Sequence, residues 1–460
     1  MADSPEDPGL RPEQPGPMRR EAESALPEPE LRAIFRLAEG IGPRPPCSGQ
    51  EREAAEAIAS ELRQIGATPL IERFRSRRSF GSAYLFVFAL SLSGALLRGR
   101  FRRVGGVGAV VGAVLGMAES RFSAWSPLKL LNRRESRNVF AWIPQERDPT
   151  GRFTSEGSRD ASPNPGPDPD AQPGETTHRT ETVEPAEEGG AAVTGTDRQV
   201  VCLVSHMDSS RSGLMFHRVV TPYLGRLVTA SGVAVAVNAF APLLRRWGLG
   251  KATVFASRGL IALAGGLLLE REILGEDVPG ANDNASGVAA CLKVAGYFTV
   301  NPLENTELAV LVTGSEESGV IGMQSFLAGR DTTGWAFINF DGISADAPLR
   351  VLTREGGPGG PDADPELLAA ARRVGEMDPN LRARPLKDGS GLPYDSTAVL
   401  MRGGRALTIA NQEGAIPDYH WPTDTVERIS PEAFVRAVRF AVRLVTELDA
   451  RADGGKGEGR

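Results

Sequence analysis

Thiols and imidazoles are scarce in this chain. Its 460 residues include three cysteines, Cys47, Cys202 and Cys291, odd in number, widely spaced and without a CxxC pair. That excludes a disulfide framework and a thiolate zinc site, and it fits a reducing compartment. The first twenty residues, MADSPEDPGLRPEQPGPMRR, lack the apolar core of a secretory leader, so residues 1–27 read as a disordered tail. Residues 451–460 read the same way, and no repeat at a fixed period is visible. Positive charge is not in excess either. The net charge is −6, and between Gln145 and Asp197 twelve acids face four arginines, a local −8 that leaves +2 for the rest. No nucleic-acid footprint follows from that balance. The acidic segment 145–197 is rich in Pro, Gly, Ser and Thr, cannot bury enough apolar area to offset its chain entropy, and reads as a disordered surface loop.

What is present is a chain with 41% apolar and 24% charged residues, long enough for one large domain with insertions or two ordinary ones. From Glu28 to Ile71 apolar positions recur at three and four, with glycine ending each run, which predicts two amphipathic helices. Short apolar runs of strand length follow at 138–143 (NVFAWI), 200–204 (VVCLV), 308–312 (LAVLV), 335–340 (WAFINF), 349–352 and 406–409. Helices are predicted between them at 285–298, 365–374 and 431–448, the last capped by Ser430 with Pro431 at its first position. Strands alternating with helices predict an α/β fold: a three-layer α/β/α sandwich around a central mixed, largely parallel sheet. In such sheets chemistry collects beyond the carboxyl ends of the strands.

Two insertions break this regularity within the domain spanning 28–450. Residues 80–135 hold the apolar runs 82–97 and 104–118, and residues 211–275 hold the runs 227–244 and 252–269. Each pair reads as an apolar helical hairpin. Every run is shorter than the ~20 residues of a standard bilayer crossing, and the last carries Arg258, so core or interfacial helices are one reading. The Gly and small-residue content suits close helix packing in lipid and supports the other, four short membrane helices contacting the bilayer. Arginines flank both ends of the first hairpin and leave orientation open. An even number of crossings keeps every hydrophilic part on one side, and without a leader that side is expected to be cytoplasmic.

Of the four histidines, His178 falls in the acidic loop and His217 near the second insertion, and both read as surface residues. His206 follows the strand VVCLVS and has Asp208 two residues on, a carboxylate able to orient its ring. Asp283, in PGANDNASG, lies in a turn that opens a helix; it can cap that helix or bridge two cations with its two oxygens. Glu316 and Glu317, in TGSEESG, end a strand with two adjacent carboxylates, costly near a core unless something pairs with them. Asp341 terminates WAFINF, and His420 lies in PDYHWPTDT after the strand ALTIA. Two Zn²⁺ would bring four positive charges against three from Asp283, Glu317 and Asp341, leaving one for a bridging hydroxide and Glu316 over as a base.

These motifs, in this order, resemble the co-catalytic zinc exopeptidases of the aminopeptidase Y and glutamate carboxypeptidase type. The resemblance runs from about Glu28 to Leu448, outside the acidic loop and both hairpins. It implies two zincs, one held by His206 and Asp341, the other by Glu317 and His420, with Asp283 bridging. It further implies that Asp208 steadies His206, that Glu316 shuttles the proton, that the Asp283–Asn284 peptide is cis, and that the substrate is a peptide cut at a terminal bond. One stretch departs from the family: where many members carry Ser-Asp-His, this chain has Tyr394-Asp395-Ser396, which bears on substrate contacts and not on the metals. Two other readings share the fold: a glutaminyl-cyclase-like aminoacyltransferase with one zinc, and a non-catalytic membrane receptor or scaffold.

Overall fold

The computed structural model describes residues 31–97, 101–123, 125–145, 198–246, 250–356, 359–388, 390–414 and 416–452. The expected tail 1–27 and the acidic stretch 146–197, with His178, lie outside them. So do residues 453–460, whereas Arg451 and Ala452 continue the last helix instead of starting a tail.

Eight strands form one sheet: β1 (Leu70–Ser76), β2 (Arg134–Trp142), β3 (Gln199–His206), β4 (Thr306–Thr313), β5 (Trp335–Phe340), β6 (Leu349–Arg354), β7 (Arg384–Lys387) and β8 (Arg405–Asn411). Their spatial order is β1-β2-β4-β3-β5-β8-β6-β7. The central four, β4-β3-β5-β8, are mutually parallel. β2 runs antiparallel to both β4 and β1, and β6 antiparallel to β8. The mixed, largely parallel sheet expected from the sequence is therefore present. All six expected strands form. β1 was hidden because its pattern, LIERFRS, interleaves charged residues in a half-exposed edge strand, and the four-residue β7 is too short to signal itself.

After a short helical stretch, Arg32–Phe35 continued by the π-helical Arg36–Ile41, where the first expected helix falls, the other helices follow in chain order: α1 (Gly49–Gln64), α2 (Gly81–Leu96), α3 (Arg102–Ser120), α4 (Leu224–Ala239), α5 (Ala241–Arg246), α6 (Lys251–Leu274), α7 (Gly287–Val300), α8 (Ile321–Leu327), α9 (Pro365–Met377), α10 (Asp395–Leu400) and α11 (Pro431–Ala452). Ser430 caps α11 as expected, accepting from the Ala433 amide. The alternation of β-strand side chains builds two cores. Val201, Leu203, Val310, Ile338 and Leu407 meet Ile58, Val288, Leu367 and Phe434 from α1, α7, α9 and α11. Cys202, Val204, Leu311, Phe337 and Ala406 meet Met323 and Phe326 of α8 and Val399 of α10 on the other face. Burial on both faces is why the central strands read as continuous apolar runs.

The two insertions form a third unit, with helices packed in the ring order α2-α3-α4-α6. Glycine makes the tightest contact. Gly108, Gly112 and Gly116 recur every fourth residue on α3, and a Cβ at Gly112 would sit 2.9 Å from the Val87 carbonyl oxygen of α2. Phe88, Leu115, Val235, Ile261 and Leu268 fill the middle. Arg258, the charge noted in the last apolar run, donates to Asn238 Oδ1 on α4 at 3.0 Å, and Asn238 in turn donates to the Ser91 carbonyl on α2. The four expected short crossings reduce to one candidate: among the described residues, only α6 is long and apolar enough to cross a membrane. Its 24 residues reach ~36 Å, whereas the 16 residues of α2 or α4 reach ~24 Å against a hydrocarbon core of about 30 Å.

Direction decides where this bundle stands. Because β1 and β4 are each antiparallel to β2, their carboxyl ends lie at one edge of the sheet. The first hairpin leaves from β1 and returns into β2 at that edge. The second leaves from β3 at the same edge. Both insertions thus rise from the side where strand-end chemistry collects.

Candidate metal centre

Three strand ends, one helix start and one loop supply the singled-out side chains. His206 is the last residue of β3. Glu316 and Glu317 lie on the turn after β4, where Ser315 takes φ 55°. Asp341 follows β5 directly, and His420, with φ 50°, lies in the loop between β8 and α11. Asp283 stands in the kinked segment Ala281–Ser286 before α7, and its peptide bond to Asn284 is cis. The helix behind it packs tightly: a Cβ at Gly287 would fall 2.6 Å from both the Phe340 carbonyl and Ser205 Oγ.

The fold brings all five expected ligand residues together. Asp283 lies between the imidazoles, its Oδ1 3.3 Å from His206 Nε2 and its Oδ2 3.3 Å from His420 Nε2. Asp341 Oδ2 is 3.7 Å from His206 Nε2, and Glu317 Oε1 is 3.1 Å from His420 Nε2. Two donor groups result, His206-Asp283-Asp341 and Asp283-Glu317-His420, and Glu316 joins a third with His206 and Glu317. All are buried or nearly so.

Asp208 does more than face His206. The His206 ring is fixed through Nδ1, 3.0 Å from the Asp208 backbone oxygen, with the carboxylate farther off at 3.6 Å. That leaves Nε2 free to face the carboxylates. The Asp208 carboxylate instead accepts from the amides of Glu316 (3.2 Å) and Glu317 (3.0 Å) and so holds the turn that carries them. Asp424 plays the same part on the other side, accepting from the amides of Asn282 (2.7 Å) and Asp283 (3.0 Å). Beneath both lies Arg44, fully buried, which donates to the carbonyls of Leu37, Gly42, Met207, Pro279 and Gly280. Glu51 receives the Ser315 amide at 3.0 Å. Sequence reasoning missed Arg44, Glu51 and Asp424. The available signals were GPRPP before a helix and the second acid of PDYHWPTD, neither distinctive alone.

Electrostatics reflect this crowding. Burial opposes protonation of His206, but contacts with Asp208, Asp283 and Asp341 hold its pKa well above the ordinary imidazole value. His420 is likewise opposed by burial and pushed up to about 9 by Glu317 and Asp283. Burial would raise Asp283, yet hydrogen bonds from both imidazoles draw it below the usual carboxylate range. Burial and then the charge of Asp283 raise Asp341 to about 6. Burial lifts Glu316 well above the ordinary value; His206 opposes, and Glu317, Asp395 and Asp341 add to the rise. Three carboxylates and two imidazoles converging with more negative charge than they neutralise is a donor set suited to divalent cations. Glu317 Oε1 fits that use, being buried without a hydrogen bond.

The departure at Ser396 resolves into packing. Its hydroxyl donates to Glu355 Oε2 at 2.7 Å and lies 2.5 Å from Thr408 Oγ1, while Asp395 accepts from Thr313 at 2.5 Å. His217 stays outside the cluster, edge-on to Trp421.

Residues 270–445 match Peptidase family M28. Over 200 residues the chain is 26% identical to the probable lipoprotein aminopeptidase LpqL of Mycobacterium tuberculosis, covering 37% of this chain and 40% of that one, so it spans about two fifths of that relative's length. Among solved structures it is similar to BSAP, a zinc aminopeptidase from Bacillus subtilis (TM-score 0.48, 14% identity, 91% of this chain and 94% of that one). It is also similar to the glutaminyl cyclase of Fimbriiglobus ruber (TM-score 0.49, 12% identity, 97% and 99%).

Proposed function

We propose that this chain is a zinc-dependent exopeptidase, an aminopeptidase acting on peptides at a membrane, with residues 31–452 as one catalytic domain interrupted by the two hairpins. The observation that carries this reading is Asp283, one carboxylate set between two imidazoles that each have a further carboxylate. His206, Asp283 and Asp341 would hold one zinc, and Asp283, Glu317 and His420 a second. When bound, two such ions polarise a scissile carbonyl and acidify the attacking water. The chain's own residues supply the rest. Glu316, beside the ligands and slightly exposed, takes the proton from water and returns it to the departing amine. Asp208 and Asp424 keep the carboxylates in place through backbone amides, so the site needs little rearrangement when substrate arrives.

Membrane association rests on the bundle. Val104, Val107, Val111 and Val114 form one exposed stripe on α3, and Phe255, Leu263 and Leu269 are exposed on α6. Such a surface suits lipid better than water.

Metal analysis of the purified protein alongside a panel of chromogenic aminoacyl substrates tests the reading. The expected result is two zinc ions per chain and release of the chromophore. One zinc with pyroglutamate formation would replace it with the cyclase reading, and absence of both metal and turnover with the scaffold.

A further inference from the structure

An open groove of about 760 Å³ runs along the outside of the bundle between α4 and α6. Small side chains pave it: Gly225, Thr229, Ala230 and Ala234 on α4, with Ala256 and Ser257 on α6. Val233, well exposed, is among its apolar lining residues. From Gly225 to Val237 it extends over thirteen residues of α4, or ~18 Å.

Its lower end abuts the catalytic edge. Lys387 and Asp388, at the end of β7, close it there. Tyr394 donates to Asp388 at 3.4 Å and packs in one small core with Leu352 and Ile416, against which Tyr419 rests. Tyr419 stacks on His420 with ring centroids 3.8 Å apart. Phe216, buried in the bundle's core, meets the same imidazole from its other flank at 4.4 Å. One end of the groove and the metal ligands thus share a wall.

We propose that this groove holds an apolar helix, the membrane-embedded part of a peptide substrate, and so delivers that peptide's free terminus to the site at the sheet edge. Three observations choose this occupant. Both hairpins leave the sheet at the edge that carries the site, so whatever lies along the bundle ends at the chemistry. Small residues on both walls let another helix backbone approach closely, the same device that joins α2 to α3. Length agrees: the ~18 Å of groove along α4 matches about three turns of a helix lying in it. A lone acyl chain, much thinner, would leave the groove partly unfilled. The inference rests on the peptidase reading above and gives its substrate class as membrane-anchored peptides.

The test uses the full chain, zinc-loaded, in phosphatidylcholine vesicles. Two peptides share their amino-terminal residues; one continues into a soluble tail, the other into a twenty-residue Leu/Ala helix carrying a photoreactive diazirine. Ala230→Trp and Ala256→Trp fill the groove from opposite walls, and neither residue touches the metal ligands. The expected result is labelling of α4 and α6 by the anchored peptide, and a loss of about tenfold or more in kcat/KM for that peptide in both variants. Hydrolysis of the soluble peptide should stay within about twofold. Equal losses on both peptides, or no loss on either, would overturn the proposal. So would labelling of the groove by a diazirine phospholipid that excess anchored peptide does not displace. If the unsubstituted protein cleaves neither peptide, the peptidase reading fails, and the photolabelling pattern alone then decides for or against the groove.

Discussion

The sheet edge and the helical bundle break opposite rules of burial. At the edge, His206, Asp208, Asp283, Glu317, Asp341 and His420 are polar and buried. In the bundle, Val107, Val114, Phe240, Phe255 and Leu269 are apolar and exposed. Either departure is costly in water for a chain left to itself. Each departure fits the environment of the proposed function, cations at the edge and an apolar medium around the helices. Their junction at Phe216 and His420 joins the two, so the chemistry sits where the apolar medium would begin.

The comparison can be broken from either side. At the edge, Glu316→Gln keeps the volume and removes the base, so turnover of a chromogenic aminoacyl substrate is expected to fall by about a hundred- to ten-thousandfold, with zinc content unchanged on metal analysis. In the bundle, Val107→Asp with Val111→Asp places two charges on the exposed stripe of α3. At roughly 3 kcal/mol per charge placed in hydrocarbon, the protein should leave the vesicle fraction on flotation while soluble-substrate turnover stays within about twofold. Under the site, Arg44→Met strips the donor from five carbonyls, and urea unfolding should show a loss on the order of 4 kcal/mol.

The smallest effect sharpens the contrast between buried charge that a cation can answer and buried charge that nothing answers. Glu355 is fully buried away from the ligands, receives Ser396 and Thr397, and has its pKa pushed up to about 7 by burial. A carboxyl whose folded pKa is raised keeps its proton in the folded state where the unfolded chain has lost it. The protein should therefore lose stability as pH rises from the ordinary carboxylate pKa toward 7 and then level off. Glu355→Gln should flatten that slope and, by pH 8, be more stable than the unsubstituted protein by up to about 3 kcal/mol, measured as Tm against pH.

Much of this was legible in the chain. The central strands announced themselves because burial on both faces leaves no room for polar residues, as in VVCLV and LAVLV. Four of the converging donors were legible because they lie at or just past a strand end or open a helix, and His420 because it was one of only four histidines and sits in the loop after a strand. The edge strand β1 was not, since its charged residues imitate a helix surface. Arg44 and Asp424 were illegible for another reason: their partners are backbone carbonyls and amides, which every residue carries and no motif encodes. The membrane reading erred in number because small residues serve helix packing whether or not a helix crosses a bilayer, and α2 and α4 end at 16 residues, as their short apolar runs foretold.

The sequence alone determined which residues could bind cations and which segments shun water, because both are properties of side chains. Only the tertiary structure decided that the two insertions rise from the edge that holds the donors, that Asp208 grips the glutamate turn, and that α4 and α6 leave a groove between them. Those are matters of strand direction and of contact between residues far apart in the chain, which no local pattern carries.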